Sequence, residues 1–176
     1  LYLKLLVEAG CQVKFMGDNF YQHEPYTQAL QDMGIEVLYG QHYERKWKSW
    51  LRNHAAEIDI IYMMRPHIAQ KYIDTVNSLE PKPRTIYFGH DLHFLRLQRQ
   101  AEISQDTTIA AEAAKWQDKE FELFQKLDRI YYPSEVEVEE IKKREPRLSV
   151  KAIPLYPIRD FDESPIDFTE REGLLF

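Results

Sequence analysis

Two short stretches of this chain bring together side chains that can transfer protons, accept and donate hydrogen bonds, and stabilise anions. In Tyr87-Phe88-Gly89-His90-Asp91-Leu92-His93-Phe94-Leu95-Arg96, four polar or charged groups stand where a strand gives way to a helix. In the other, the apolar run 58–64 empties into Arg65-Pro66-His67. Imidazole and carboxylate groups both give and take hydrogen bonds and suit acid–base work, while guanidinium groups stabilise negative charge. The carboxyl ends of strands are where open α/β sheets place their ligand sites. An Asp before a helix reads first as an N-cap, and Asp91 stands where a cap would accept the first free N–H groups. Two neighbouring strand tips carrying Arg65, His67, His90, Asp91 and His93 exceed what capping requires.

Positioning these residues takes strands and helices in alternation. Residues 84–88 form a β-branched and aromatic run entered through Pro81 and Pro83, as a buried strand is. Gly89 then allows a sharp turn or a close backbone approach. Beyond it Leu92, Leu95 and the stem of Arg99 repeat at helical spacing, and His93 and Arg96, three apart, are expected on one face. The same reading gives helices at 1–9 and 25–33, closed by Gly10 and Gly34, and strands at 12–16 and 35–39. A helix at 44–54, the strand 58–64 and a helix near 69–78 precede the junction. After it come a helical hairpin over 92–127 broken near 103–108, a strand at 128–132, a helix at 135–144 and a strand at 149–153. This order implies a Rossmann-like, doubly wound parallel sheet, with strands 59–63, 86–88 and 130–132 central and buried.

Composition sets bounds on function. With 176 residues, 44% apolar and 30% charged, the chain can bury one substantial core. Its single cysteine, Cys11, excludes an internal disulfide framework, fits a reducing, cytoplasmic compartment, and reads as a small core residue. A net charge of −6 argues against wholesale nucleic-acid binding. No apolar run approaches the length of a membrane span, and no signal peptide is evident. Two domains are expected: residues 1–153 form the sheet domain, opening in a helix without its first strand. Residues 154–176 hold an acidic, proline-containing linker and, in Gly173-Leu174-Leu175-Phe176, the first residues of a further domain.

The chain resembles the amino-terminal lobe of GT-B-fold glycosyltransferases of family four, in the branch that builds bacterial surface and capsular polysaccharides. The resemblance covers nearly the whole chain. It rests on residues 1–10 with 13–17, on Gly34-Ile35-Glu36-Val37, on Arg65-Pro66-His67 and on His90-Asp91-Leu92-His93-Phe94-Leu95-Arg96 with Arg99. Pro133-Ser134-Glu135 and Arg171-Glu172-Gly173-Leu174-Leu175-Phe176 complete it. It implies transfer of a sugar from a nucleotide-sugar donor to a glycan or lipid-linked acceptor, with retention of anomeric configuration and with neither a metal nor another cofactor. The amino-terminal lobe holds the acceptor and a carboxyl-terminal lobe the donor, so this stretch alone is expected to transfer nothing. In many such enzymes a histidine after the strand matching 86–88 reaches toward the donor sugar. His90 holds that position, which makes His90 and its neighbour Asp91 the expected catalytic pair. Arg65, His67, His93, Arg96 and Ser134 are the expected substrate contacts; Arg65 or Arg96 would steady a departing diphosphate, and His and Asp would hold acceptor hydroxyls.

Three other readings compete. His67, His90, Asp91 and His93 could form a His and carboxylate metal site of a hydrolase. A non-catalytic Rossmann-like binding module would keep the sheet without the chemistry, and a dinucleotide-binding dehydrogenase is disfavoured because no G-x-G-x-x-G follows a strand. Ser134-Glu135 reads locally as an N-cap with an acidic first turn. In 43–54, Tyr43, Trp47, Trp50, Leu51 and His54 share one helical face while Arg45, Lys46, Lys48 and Arg52 occupy the others. That face either packs on the sheet or, if exposed, suits peripheral attachment to an anionic inner membrane.

Overall fold

The computed structural model describes residues 2–153, and the expected linker and domain start at 154–176 lie outside them. The elements run α1 (Tyr2–Glu8), β1 (Lys14–Met16), α2 (Tyr26–Asp32), β2 (Glu36–Leu38), α3 (Gln41–Asn53), β3 (Ile60–Met64), α4 (Pro66–Asn77) and β4 (Arg84–Phe88). They continue as α5 (His93–Ser104), α6 (Thr107–Phe124), β5 (Arg129–Tyr132), α7 (Glu135–Arg144) and β6 (Val150–Ala152), with a 3₁₀ turn at Ala55–Glu57 after α3.

Local chemistry explains most boundaries. Gly10 and Gly34 adopt φ of +84° and +80°, which L side chains resist, and the residues after them close each helix backward. Cys11 N–H bonds Leu6 O at 3.0 Å, and Ile35 N–H bonds Leu30 O at 3.1 Å. Pro66 occupies the first turn of α4, where its missing N–H costs nothing. Asp106 starts α6 by accepting the Thr108 N–H at 2.7 Å, so the helical hairpin breaks within the expected stretch.

All strand pairs are parallel. β1 pairs with β2, and β3-β4-β5-β6 form a four-stranded sheet in that order, with Tyr62 opposite Ile86 and Tyr87 opposite Ile130. Side chains alternate across a strand, so Met63, Tyr87, Ile130 and Tyr132 share one face. Phe124 of α6 packs against Tyr87 and Tyr132 there, at ring separations of 6.2 and 6.3 Å. On the opposite face Tyr2 of α1 lies 5.9 Å from Phe88. This α/β architecture, a parallel sheet with helices on both faces, is the Rossmann-like doubly wound fold expected from the alternation.

Three expectations are corrected. β3 is not a central buried strand: it has β4 on one side and no partner on the other among the described residues, and Ile60, Tyr62 and Met64 are 55, 38 and 38% exposed. An apolar run records the demand for burial, not the strand's place in the sheet. Cys11 is exposed, because the chain leaves α1 through the Gly10 turn and enters β1 only at Lys14. The buried face of α5 is set by Phe94 and Leu97, while Arg99 is exposed.

Gly89 serves close approach. A Cβ at this position would sit 2.3 Å from the ring carbons of Tyr132, a side chain wholly buried beneath the β4 tip. Replacing Gly89 by Ala must displace that ring, and should lower stability by about 1–3 kcal/mol. A fall in the urea midpoint at constant slope is the expected readout, and an unchanged midpoint would show that the ring yields freely.

Candidate functional site

Because β3, β4 and β5 are parallel neighbours spaced about 4.8 Å apart, the residues that follow them emerge along one edge of the sheet. Arg65, His90 with Asp91, and Ser134 stand on this edge in that order. The tips are not equivalent. Arg65 is exposed with φ +65°, a strained conformation for a non-glycine residue, directly before Pro66. His67 is exposed at the start of α4, near enough for its charge to act on Asp18, which lies just beyond β1. Burial tends to raise the Asp18 carboxyl, but Lys71 Nζ at 2.6 Å, Tyr72 OH at 2.9 Å and the nearby His67 outweigh it and hold it below the usual range.

The β4 tip is the most built part of the edge. His90 is exposed, with its ring 5.6 Å from Phe88 and nearly perpendicular to it. Asp91 is not the cap of α5. That helix begins at His93, with Leu92 in the cap position and no side-chain cap bond from either residue. The carboxylate of Asp91 turns instead to Arg96 Nε at 2.9 Å, an exposed pair worth about 0–1 kcal/mol. The cap comes from another helix. Glu120 of α6, with no solvent exposure, accepts the His93 N–H at 3.0 Å and the Phe94 N–H at 2.9 Å.

Glu120 also draws His93 inward, away from the face it was expected to share with Arg96. The His93 Nδ1 lies 3.5 Å from Glu120 Oε1, an ion-pair distance without the alignment of a hydrogen bond, and the ring stacks on Trp116 at 4.7 Å. The contact with Glu120 outweighs burial and lifts the imidazole above its ordinary value. Beneath this turn, burial first and then the charge of Glu120 push the Tyr87 phenol well above its usual range.

A groove of about 460 Å³ runs from the β4 tip along α5, with Asp91, Arg96, Arg99 and Glu137 supplying its charges and Leu95 and Ile103 its apolar wall. Ser134 caps α7, accepting the Val136 N–H at 3.2 Å and donating to Glu137, so the local reading of Ser134 holds and its hydroxyl is committed. The expected residues therefore separate. Asp91 and Arg96 line the groove with His90 exposed beside Asp91 at the β4 tip, Arg65 and His67 stand at the β3 tip, His93 is turned into the protein, and Ser134 is held in its cap. His67, His90, Asp91 and His93 do not converge, and among the described residues no three His, Cys, Asp or Glu side chains are grouped to hold a metal ion.

Sequence reasoning missed Glu120, Asp18 and Glu137. Asp18 carried a signal, since Gly17-Asp18-Asn19 follows a strand as Gly89-His90-Asp91 does. Glu120 carried none, being an unremarkable acid within a continuous helical run. Comparison with protein families, with curated proteins and with solved structures returns no match for this chain.

Glu120→Ala should cost about 2–4 kcal/mol, because two buried N–H groups lose their acceptor, and Glu120→Gln about half as much. The raised His93 value gives this contact a pH signature. Its contribution is fully present below the unfolded imidazole value of about 6.5 and is lost as pH rises through the higher folded value. Urea unfolding across this range should show that slope in the wild type and lose it in Glu120→Gln, while NMR titration of His93 should show its midpoint falling.

Proposed function

We propose that this chain is the acceptor-side lobe of a retaining, GT-B-type glycosyltransferase that moves a sugar from a nucleotide-sugar donor to a glycan or lipid-linked acceptor. The observation that carries the reading is the β4 tip: an exposed imidazole at the carboxyl edge of a parallel sheet, beside the mouth of a groove with both charged and apolar walls. A hydroxyl-rich acceptor with an apolar or anionic portion suits such a groove, since Asp91 and Glu137 accept hydroxyl hydrogens and Arg96 and Arg99 donate.

The proposed roles follow from position. His90 projects into solvent with no hydrogen-bond partner among the described residues, free to meet the reacting sugar once a donor lobe closes the cleft. Asp91 and Arg96 hold one another in the resting state, and their weak exposed pair opens when an acceptor hydroxyl or phosphate offers better partners. Arg65 stands one strand away, where a guanidinium would steady a departing diphosphate. His67 and Ser134 flank this arrangement, and His93 serves it from below by fixing the turn. Polysaccharide biosynthesis at the cytoplasmic side of a membrane is the setting this chemistry fits.

In the two-lobed protein, His90→Ala should lower turnover of a panel comprising UDP-glucose, UDP-galactose and GDP-mannose by about 10²-fold, the usual loss for one stabilising group in a water-poor site. An exposed residue contributes little packing, so the melting temperature should stay within about 1–2 °C. Asp91→Asn should lower turnover as well, without the loss of a helix cap. Full activity in His90→Ala, or a loss that only follows unfolding, would remove His90 from the chemistry.

A further inference from the structure

Many aromatic rings of this chain are used internally. Those of α3, expected either to pack on the sheet or to meet a membrane, pack: Trp47 is buried, Tyr43 and Trp50 lie against the core, and Trp47 meets Tyr72 of α4 at 4.5 Å. Tyr21 and Tyr26 are different. They are 67 and 72% exposed, against 37 and 38% for Phe15 and Tyr62. Tyr21 lies in the segment that joins β1 to α2, and Tyr26 is the first residue of that helix. The segment is held in place. Phe20, in the left-handed region at φ +52°, sends its side chain into the core, and its carbonyl accepts the Gly40 N–H at 2.7 Å. Tyr21 N–H bonds Asn19 Oδ1 at 3.2 Å. His23 and Thr27 close a turn with one bond in each direction, His23 N–H to Thr27 Oγ1 at 3.0 Å and Thr27 N–H to His23 O at 2.7 Å. The His23 ring stands across that of Tyr21 at 4.6 Å and is steadied by Asn19 Nδ2, 3.2 Å from its Nε2. Exposed rings on an anchored backbone lose little freedom when a ligand covers them.

We propose that this segment is a binding subsite for a neutral oligosaccharide, with Tyr21 and Tyr26 as its stacking surfaces. A pyranose has an apolar face of C–H bonds and a rim of hydroxyls, so it needs a flat ring beneath it and donors and acceptors around it. Exposed Asn19, Gln22, His23, Glu24 and Gln28 place amide, imidazole and carboxylate groups in the same short segment as the rings. A protein partner would call for a wider apolar patch, and residues 17–28 contain no Leu, Ile, Val or Met. Charge sets the class of sugar. The same residues include Asp18 and Glu24 but neither Lys nor Arg, and Lys71, the cation beside them, is paired with Asp18. A phosphate, a uronate or a nucleotide is disfavoured there, while uncharged hydroxyls are not. Asp18 also accepts the Tyr72 hydroxyl at 2.9 Å, which ties the segment to α4, the helix that begins at the β3 tip. In a transferase lobe the subsite would hold outer residues of the acceptor. That role rests on the proposed function, but the binding itself does not.

The test is NMR and calorimetric titration of the full chain with maltohexaose, cellohexaose and mannohexaose, and with UDP and hexagalacturonate as charged controls. Roughly millimolar binding of at least one neutral hexasaccharide is expected, with the signals of Tyr21, His23 and Tyr26 shifting most. Tyr21→Ala and Tyr26→Ala should each weaken it by roughly five- to tenfold, while Tyr21→Phe, which keeps the ring, should stay within about twofold. Circular dichroism establishes that each variant is folded, since rings this exposed contribute little packing. No binding of any neutral hexasaccharide at about 20 mM, tighter binding of UDP or hexagalacturonate, or a loss with Arg96→Gln in the α5 groove but not with Tyr21→Ala would each overturn the subsite. Absence of sugar transfer by the two-lobed protein, with this binding intact, would overturn the transferase reading and leave the subsite standing.

Discussion

Glu120 is a carboxylate with no access to solvent, and the shape of the candidate site depends on where it is held. Burying a charge is tolerated only where hydrogen bonds replace water, and the first turn of α5 supplies two backbone N–H donors together with the positive end of the helix dipole. In satisfying Glu120, α5 is locked against α6 and its starting point is set at His93. The turn His90-Asp91-Leu92 is then confined between that fixed helix start and the end of β4. Gly89 pressed on Tyr132 closes it from below. His90 is thereby left facing outward and His93 inward, although the two imidazoles are only three residues apart.

This arrangement separates the parts of the strand edge that hold structure from those free to interact. Glu120, His93, Trp116 and the Tyr87 phenol form a support under the turn, where removal of Glu120 leaves the His93 and Phe94 N–H groups without their acceptor. Above it, His90 and the Asp91–Arg96 pair are exposed and weakly held, as groups that must exchange partners with a ligand need to be. Arg65 adds strain at the neighbouring tip, and Asp18 with Lys71, Tyr72 and His67 adds a second polar cluster beside it. A transferase lobe of the proposed kind needs both layers, one to keep geometry and one to meet substrate.

Secondary structure was largely legible in the chain. The strand at Arg84–Phe88 and the helix at Glu135–Arg144 fall where propensity and the Ser134 cap put them, and the glycine-ended helices close at Gly10 and Gly34 as their spacing required. Boundaries differ by a few residues where no cap marks them, as at α3 and α4. The candidate site was half legible: the strand tips were identified, but the division of labour among His90, Asp91 and His93 was not. Asp91 looked like a cap because capping is usually local, and here it is not.

The sequence by itself determined which segments become strands and helices, that the strands run parallel, and which polar residues reach the ends of β3 and β4. Those properties depend on interactions within about four residues and on the alternation of elements along the chain. Only the tertiary structure decided that β3 lies at a sheet edge, that the aromatics of α3 face inward, and that α5 is capped from α6. Each of these depends on partners far apart in sequence, 26 and 27 residues for the two bonds of Glu120. A buried acid and an exposed one look alike in a sequence, because the difference lies in which donors the fold brings to them.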